Sequence, residues 1–334
     1  MILAGDVGGT NTRLALVEQG GGNELRFLAE QVFPSRDFEG VGAMARAFLS
    51  QQAGAPRAAC FAVAGPVIDG RADATNLGWV VDQRELSESL GIERLAVIND
   101  LESNAYGIAW LAPEDIDTIN EGAPGARGNA AVVSPGTGLG EAGMYWDGRR
   151  HWPFAAEGGH TDFAARTRLE FELLEYLRPL YGEHISSERV VSGPGLVHIY
   201  EFLRDTGRGE EPTWLADEMR DPKADPAACI SNAALSQRSA LCERALDMFI
   251  ELFGAEAGNM ALKVMARGGV WLGGGIVVKI RERIKATDSF MKGFAEKGRL
   301  SDILRDMPVR VILNDKAALL GAARYALDSI DAEP

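Results

Sequence analysis

One pattern occurs twice in this chain, as ILAGDVGGTNTRLALV (residues 2–17) and as AVVSPGTGLGEAGM (residues 131–144). Each copy consists of an apolar run, a glycine-rich turn and a second apolar run, which predicts two strands joined by a tight turn. Glycines in such a turn let successive backbone N–H groups face one side, and the resulting concave nest suits phosphate oxygens. Two nests predict a clamp around a polyphosphate, and the alignment of Gly8 with Gly136 predicts two related halves.

Neither turn matches the commonest nucleotide-binding motifs. No lysine followed by Ser or Thr closes either turn as in a P-loop, and the glycines lack the spacing of the dinucleotide-binding fingerprint. The order of strand, turn and strand favours the nucleotide site of the actin and hexokinase type.

The composition indicates two globular domains and an anionic protein. The chain has 334 residues, 46% of them hydrophobic, and a single core stops growing near roughly 250 to 300 residues. The formal net charge of −14 argues against nucleic acid or an anionic membrane as a partner, because both would repel the protein. We therefore expect a phosphate ligand to be bound by backbone N–H groups and a cation, and not by a surrounding excess of basic side chains.

The three cysteines, Cys60, Cys229 and Cys242, lack the spacing of metal ligands. They predict neither a zinc site nor a disulfide framework, and such usage is typical of the reducing cytoplasm, where we expect the protein to act. No run of about 18 uncharged apolar residues and no export signal is visible, so no membrane segment is predicted.

Strand-like runs alternate with helical patterns in the first part of the chain, which predicts α/β layers. The expected elements are helices at residues 39–52 and 83–90 and strands at residues 58–63 and 94–98. A stretch rich in glycine, proline and acidic residues, 113–129, separates them from the second glycine turn. We place the domain boundary near residue 110.

The second part of the chain has fewer strand signals. Asp162 is expected to cap a helix that runs to about residue 181, and the polar residues 205–226 are expected to form a loop. A long amphipathic helix is predicted at residues 236–265. The remaining predictions are a strand and glycine turn at 269–275 followed by a helix, a strand at 309–313 and a closing helix at 317–327.

Two polar groups carry the candidate chemistry. Asn99 and Asp100 follow the apolar run 95–98, and ligands bind at the carboxyl ends of strands in open α/β sheets. An aspartate there either accepts the proton of a hydroxyl or caps the following helix. Glu157 and His160, separated by two glycines, either hydrogen-bond adjacent hydroxyls of a polyol or serve the local structure.

Seven ordered motifs resemble those of the bacterial glucokinase family. They are GDVGGTN (5–11), TNLGW (75–79), IND (98–100), SPGTGLG (134–140), EGGH (157–160), ERVVSGPGL (188–196) and GGGI (273–276), and they extend over nearly the whole chain. The resemblance implies an α/β fold of the two-lobed actin and hexokinase (ribonuclease H-like) type. It implies a cleft between a small α/β domain (1–110 plus 316–334) and a larger α+β domain (111–315), with the C-terminal helix packed on the N-terminal lobe.

The same resemblance implies the reaction and its residues. ATP, with Mg²⁺, would phosphorylate D-glucose at the 6-hydroxyl in the first step of glycolysis, giving glucose 6-phosphate and ADP. Asp100 would be the catalytic base, and the other hydroxyls would be bound by Asn99, Glu157, His160 and Glu188. The phosphates would be held by Gly5, Asp6, Val7, Gly8, Gly9, Thr10, Gly136, Thr137 and Gly138, with Asp6 reaching the metal through water. Gly273, Gly274 and Gly275 would lie against adenosine. The oligomeric state stays open, although the family often forms homodimers.

Four alternatives remain. A sugar kinase of the related repressor and kinase group carries a zinc-binding cysteine cluster beside its histidine, and this sequence has no such cluster. A sugar-responsive transcription regulator needs a helix-turn-helix of about 60 residues, whereas this sequence enters its first glycine turn directly. An actin-like ATPase explains the polyol-binding residues less well, and the sequence does not distinguish a kinase for another hexose.

Overall fold

A computed structural model gives the architecture, and it describes residues 1–21, 25–74 and 77–331. Thr75 and Asn76 of the TNLGW motif lie outside the described residues, as do residues 332–334 of the predicted small domain. The chain divides into two compact units. The first unit comprises Met1–Asp115, Trp152–Ala155 and Asn314–Pro334, and the second comprises Ile116–His151 and Ala156–Leu313.

The first unit is built on a five-stranded sheet. The strands of this unit, which include those of a second and smaller sheet, are β1 (Ile2–Val7), β2 (Asn11–Gln19), β3 (Leu25–Pro34), β4 (Ala58–Val63), β5 (Val67–Ile68), β6 (Arg71–Ala74), β7 (Trp79–Asp82) and β8 (Arg94–Asn99). The sheet has the order β3-β2-β1-β4-β8, with β1, β4 and β8 parallel, while β5, β6 and β7 form a small antiparallel sheet. The helices are α1 (Val41–Leu49), α2 (Gln83–Leu90), α3 (Asp100–Gly107) and a C-terminal helix (Ala317–Asp331).

Different helices cover the two faces of β1, because successive side chains of a strand point to opposite faces. Leu3 belongs to a core with Met44 and Phe48 of α1, whereas Ala4 belongs to a core with Leu319 of the C-terminal helix. A run of apolar residues is typical of such an inner strand, buried on both sides. The C-terminal helix therefore packs on the N-terminal sheet, which confirms that expectation.

The second unit repeats the sheet topology of the first. Its strands are β9 (Ile116–Asn120), β10 (Ala130–Pro135), β11 (Leu139–Trp146), β12 (His151–Ala156, which the sequence ranges of both units share), β13 (Gly269–Leu272) and β14 (Val309–Ile312). β10 pairs antiparallel with β11 and parallel with β13, and β13 pairs parallel with β14. In the first unit, β1 likewise pairs antiparallel with β2 and parallel with β4, and β4 pairs parallel with β8. This correspondence confirms the prediction of two related halves.

Helices surround the second sheet. They are α4 (Arg168–Tyr181), α5 (Gly193–Asp205), α6 (Thr213–Met219), α7 (Pro226–Leu235), α8 (Ala240–Val264), α9 (Gly275–Ala286), α10 (Ser289–Ala295) and α11 (Ser301–Arg305). Phe249 and Phe253 of α8 lie in one core with Phe290 and Phe294 of α10. In the described ranges, no helix is both long and apolar enough to cross a membrane.

Both glycine hairpins are confirmed, but the structure differs from the predictions in three other segments. The expected separator 113–129 contains β9, a polar strand that pairs antiparallel with β14. Helix α4 is capped by Thr167, whose hydroxyl accepts from the Glu170 N–H while the Glu170 carboxylate accepts from the Thr167 N–H. Asp162 is therefore not the cap. The expected loop 205–226 contains α6.

Candidate active site

The first glycine turn is fastened by Ser35. The Gly8 N–H donates to the Asn11 carbonyl at 3.1 Å, and Ser35 Oγ donates to the Gly8 carbonyl at 2.7 Å. The Ser35 N–H donates to the Thr10 carbonyl at 2.9 Å, and the Ser35 hydroxyl shares a 3.0 Å hydrogen bond with the Thr12 hydroxyl. Ser35 and Thr12 are fully buried. A residue that the sequence analysis missed thus holds the shape of the turn.

The predicted phosphate-binding residues of this segment have different tasks. Gly5 and Val7 are buried in β1, and a Cβ on Gly5 would lie 2.5 Å from Phe61 Cδ1, so the small size of Gly5 serves packing. The Gly8 N–H donates to the Asn11 carbonyl within the turn, so it is not available to a phosphate. Gly9 and Thr10, at the tip, therefore carry the candidate phosphate-binding N–H groups of the first unit.

Asp6 lies beside a charged cluster. It pairs across the hairpin with Arg13, whose guanidinium binds Asp315 at 3.0 Å and lies 3.7 Å from Glu30. Burial raises the pKa of the Asp6 carboxyl, while Arg13 lowers this pKa and Asp315 raises it. A desolvated carboxylate beside further acids is a suitable oxygen ligand for Mg²⁺, because a divalent cation offsets the cost of its burial.

Asn99 and Asp100 stand where β8 ends and α3 begins. Asn99 caps α3, since its Oδ1 accepts from the N–H groups of Leu101 and Glu102 at 2.9 and 3.1 Å. The buried Asn99 side chain also donates from Nδ2 to the Gly65 carbonyl at 3.0 Å. Asp100 is half-buried, and its Oδ1 accepts from the Leu101 N–H at 2.9 Å. Because Asn99 supplies the cap, capping alone does not account for an acid at position 100.

The first glycine turn and Asp100 lie at one edge of the first sheet. Val7 pairs with Val63, and Val63 pairs with Asn99, both in parallel register. Neighbouring strands lie about 4.8 Å apart, so the ends of β1 and β8 are about 10 Å apart. The carboxyl edge, where open α/β sheets bind ligands, therefore holds both the phosphate turn and Asp100.

Three chain segments meet at the second glycine turn. The Gly136 N–H donates to the Gly138 carbonyl, and the Gly136 carbonyl accepts from the Gly193 N–H, both at 2.8 Å. The Gly273 N–H donates to the Val133 carbonyl at 3.0 Å, which brings the turn before α9 to the end of β10. The N-termini of α5 and α9 thus lie beside the turn, and the positive end of each helix attracts phosphate. The Gly193 and Gly195 N–H groups of α5 already donate to the Gly136 carbonyl and the Ser192 hydroxyl, so α5 contributes its positive end and not these N–H groups.

Gly274, the N-cap residue of α9, occupies a position that requires glycine. Its φ is +89°, and a Cβ on it would lie 2.5 Å from the Pro135 carbonyl oxygen. Gly275 is the first residue of α9, and Thr137 lies at the tip of the hairpin. The predicted nucleotide-binding residues of the second unit are therefore neighbours at the carboxyl edge of the second sheet.

The two glycines between Glu157 and His160 pack this turn onto β11. A Cβ on the first would collide with the Glu141 carboxylate, and a Cβ on the second would collide with the Leu139 carbonyl. The His160 N–H donates to the Glu157 carbonyl at 3.1 Å, which closes a single 3₁₀ turn. Glu157 and His160 themselves are exposed, so the packed glycines leave two polar side chains accessible.

Glu188 connects this turn with the second glycine turn. Its Oε2 accepts from the Leu139 N–H at 3.0 Å. The neighbouring Ser187 N–H donates to the carbonyl of Thr161, directly after His160, at 2.9 Å. The structure thus brings the three predicted sugar-binding residues of the second unit into one group of turns, whereas Asn99 and Asp100 belong to the first unit.

The chain is similar to known glucokinases over nearly its whole length. A family model described as Glucokinase matches residues 3–329. The glucokinase of Nostoc punctiforme is 40% identical over 337 residues, which cover 98% of both chains.

Two solved structures share the fold. The crystal structure of glucokinase from an Antarctic psychrotroph has a TM-score of 0.84 and 33% sequence identity, and it covers 98% of both chains. That of glucokinase from Balamuthia mandrillaris in complex with glucose has a TM-score of 0.78 at 23% identity, and covers 98% of this chain and 93% of the other. These matches confirm the predicted α/β fold of the actin and hexokinase type.

Proposed function

The chain belongs to the glucokinase family, and we propose that it transfers the γ-phosphoryl group of ATP to the 6-hydroxyl of D-glucose, releasing glucose 6-phosphate and ADP. The observation that carries the proposal is the carboxyl edge of the first sheet, where β1 leads into the phosphate turn and β8 leads into Asp100, and where the two strands end about 10 Å apart. A phosphoryl group bound at the turn and a hydroxyl bound at Asp100 fit within that distance.

Each unit carries backbone N–H groups that can bind the donor phosphates. In the first unit these belong to Gly9 and Thr10, and in the second to Thr137, Gly138 and the N-terminus of α9, beside the positive end of α5. The Gly136 N–H donates to the Gly138 carbonyl and shapes this turn. Phosphoryl transfer passes through a loose transition state with charge spread over the equatorial oxygens, so preorganised donors stabilise it without covalent chemistry. Because the net charge of −14 repels anions, these local donors must offset the unfavourable electrostatic potential that the protein as a whole exerts on phosphate.

Mg²⁺ fits the first unit through Asp6. Among residues 1–21, 25–74 and 77–331 no three His, Cys, Asp or Glu side chains are grouped to hold a metal, which agrees with an ion bound chiefly by phosphate oxygens and water. The desolvated Asp6 carboxylate would bind such an ion through water. When bound, Mg²⁺ neutralises charge on the phosphates.

Asp100 orients the sugar 6-hydroxyl and accepts its proton as the hydroxyl oxygen attacks phosphorus. General-base catalysis of this kind contributes about 10²- to 10⁴-fold to the rate. The first turn of α3 is a favourable place for the negative charge, because the N-terminal end of a helix is positive. Asn99 keeps this helix end in place and has a second Nδ2 hydrogen to offer a sugar hydroxyl.

The remaining hydroxyls are bound by Glu157, His160 and Glu188. Carboxylates accept hydrogen bonds from hydroxyls, and an imidazole either donates or accepts. One oxygen of Glu188 is committed to the Leu139 N–H, so the other is the one that accepts from the sugar. The same carboxylate thus connects the sugar with the end of the second phosphate turn.

The organisation of the molecule is part of the proposal. We assign residues 1–110 plus 316–334 to one domain and residues 111–315 to the other, and we place the protein in the cytoplasm as a homodimer. The anionic charge and the free, buried cysteines support the location, and the family resemblance supports the dimer. Light scattering on the purified protein measures the oligomeric state.

A coupled assay tests the function. Hexose 6-phosphate formation is measured for glucose, mannose and fructose, with ATP, ADP or polyphosphate as donor and with or without Mg²⁺. We expect the highest kcat/KM for glucose with ATP and Mg²⁺, and no product when Mg²⁺ is removed. A higher kcat/KM for another hexose would assign the protein to that sugar, and ATP hydrolysis that no hexose alters would assign it to the actin-like ATPases.

A further inference from the structure

Glu141 is a buried carboxyl group that the proposed chemistry does not use. It lies on β11 and is 1% exposed. Neither of its carboxyl oxygens has a hydrogen-bond partner among the described residues. Gly158 lies directly against Oε2, because a Cβ built on Gly158 would collide with that oxygen. Glu141 therefore touches the turn that carries Glu157 and His160.

A second buried carboxyl group approaches the neighbouring turn from α8. Glu256 is 5% exposed, and its Oε2 accepts from Ser187 Oγ at 3.2 Å and from Asn259 Nδ2 at 3.0 Å. Ser187 directly precedes Glu188. The two buried acids thus contact the two turns that carry the proposed sugar-binding residues of the second unit.

Building on the proposed function, we propose that Glu141 is a positioning residue, which holds the turn of Glu157 and His160 in its sugar-binding form only while the Glu141 carboxyl group is protonated. Two buried carboxylates disfavour each other's ionisation. An ionised Glu141 needs hydrogen-bond donors, and its burial denies it water unless the turn moves. Gly158 stands against Oε2, so hydration of that oxygen displaces the turn and weakens sugar binding.

The electrostatic surroundings place this change near neutral pH. Burial and then Glu256 raise the pKa of Glu141 to about 8, while Lys263 lowers it. Burial and then Arg166 lower the pKa of Lys297 to about 8, so this lysine titrates in the same range and has to be distinguished. The charged or titratable groups around Glu141 and its neighbours are Glu256, Lys263, Lys297, Arg166, Glu170, Glu157, His160 and Glu188.

The test is the pH dependence of the glucose KM of the full chain between about pH 6 and pH 9.5. We expect the wild-type glucose KM to rise about 5-fold or more, as for one lost hydrogen bond, with a midpoint near pH 8, while the ATP KM does not follow. Glu141→Gln, which cannot ionise, is expected to keep a low glucose KM throughout. Lys297→Met, the matched control, is expected to retain the rise.

With the variants, a rise that survives in Glu141→Gln or a rise that disappears in Lys297→Met would overturn the inference. A flat wild-type glucose KM overturns it without any variant, so the test does not depend on the folding of Glu141→Gln. A protein that phosphorylates glucose with a flat KM contradicts this inference alone. A protein that makes no glucose 6-phosphate at any pH contradicts the proposed function and, with it, this inference.

Discussion

A substitution of Asp100 should separate the proposed proton transfer, which kcat reports, from glucose binding, which the glucose Kd reports. In Asp100→Asn the amide oxygen still accepts from the Leu101 N–H, but it cannot take the proton of the sugar hydroxyl. We expect kcat to fall by about 10²-fold or more while the calorimetric glucose Kd stays within about 3-fold. Asp82→Asn is the matched control, because Asp82 also stands at a helix start, where it caps α2.

The control variant should retain wild-type kcat. Asp100→Asn retaining more than about one tenth of the wild-type kcat would remove Asp100 as the base.

Glu157 and His160 are exposed in the apo protein, so their removal should affect sugar binding and not folding. Each lost hydrogen bond costs about 1 to 3 kcal/mol, so the glucose KM of Glu157→Ala and His160→Ala should rise about 5- to 150-fold, with little change in the ATP KM. Thermal melts should show an unchanged apo Tm and a reduced upward shift with glucose. His184→Ala, at another exposed histidine, is the control.

If Glu157 or His160 stabilises the fold and does not bind sugar, the thermal melts of its alanine variant should show the opposite pattern. If the apo Tm of either variant collapses while the glucose-induced shift survives, the residue serves the fold, and its assignment to the sugar fails.

Single residues differ in how far the sequence predicted them. Asp100, Glu157 and Glu188 stand in short motifs, so local sequence was enough to propose them. Ser35 and Glu141 carry no such signal, because their contacts with Gly8 and Gly158 join residues far apart in the chain. Only the folded backbone places them at the turns.

The first hairpin depends on Ser35 for its shape. Ser35→Ala leaves the half-buried Gly8 carbonyl and the buried Thr12 hydroxyl without this partner, at a cost of about 1 to 3 kcal/mol for an unsatisfied buried group. We expect a lower Tm and an ATP KM that rises more than the glucose KM. Ser50→Ala, which removes an exposed bond to the Ala47 carbonyl, should change neither. An unchanged ATP KM in a folded Ser35→Ala would contradict the role of this turn in phosphate binding.

Helices and strands were predictable where their signal is local. The apolar strand Ala58–Val63 and the helix Gln83–Leu90 have the bounds that the pattern gave them. β9 is polar and half-buried, and it is a strand because β14, far along the chain, offers its edge. The start of α4 was misplaced because Thr167 and Glu170 form a complete capping box, which outweighs an isolated upstream acid.

The whole molecule uses one sheet topology twice. In each unit the first strand of a glycine hairpin pairs with a parallel strand. The candidate ligand-binding residues lie at the carboxyl ends of these strands. In the proposed reaction the first unit offers the base and a phosphate turn, and the second offers a phosphate turn, two helix N-termini and the side chains that bind the sugar. Because the net charge is −14, we expect phosphate binding to depend on these local groups and on Mg²⁺.

The most direct test of phosphoryl transfer to sugar counts both products of one reaction. ADP and glucose 6-phosphate are measured together with ATP and Mg²⁺, in the presence and absence of glucose. Phosphoryl transfer to glucose predicts one glucose 6-phosphate for each ADP. It also predicts ADP formation without sugar below about 1% of the rate with sugar, because water is a poor substitute for an oriented hydroxyl. ADP formation at a similar rate without glucose, or ADP formation with glucose but no glucose 6-phosphate, would contradict it.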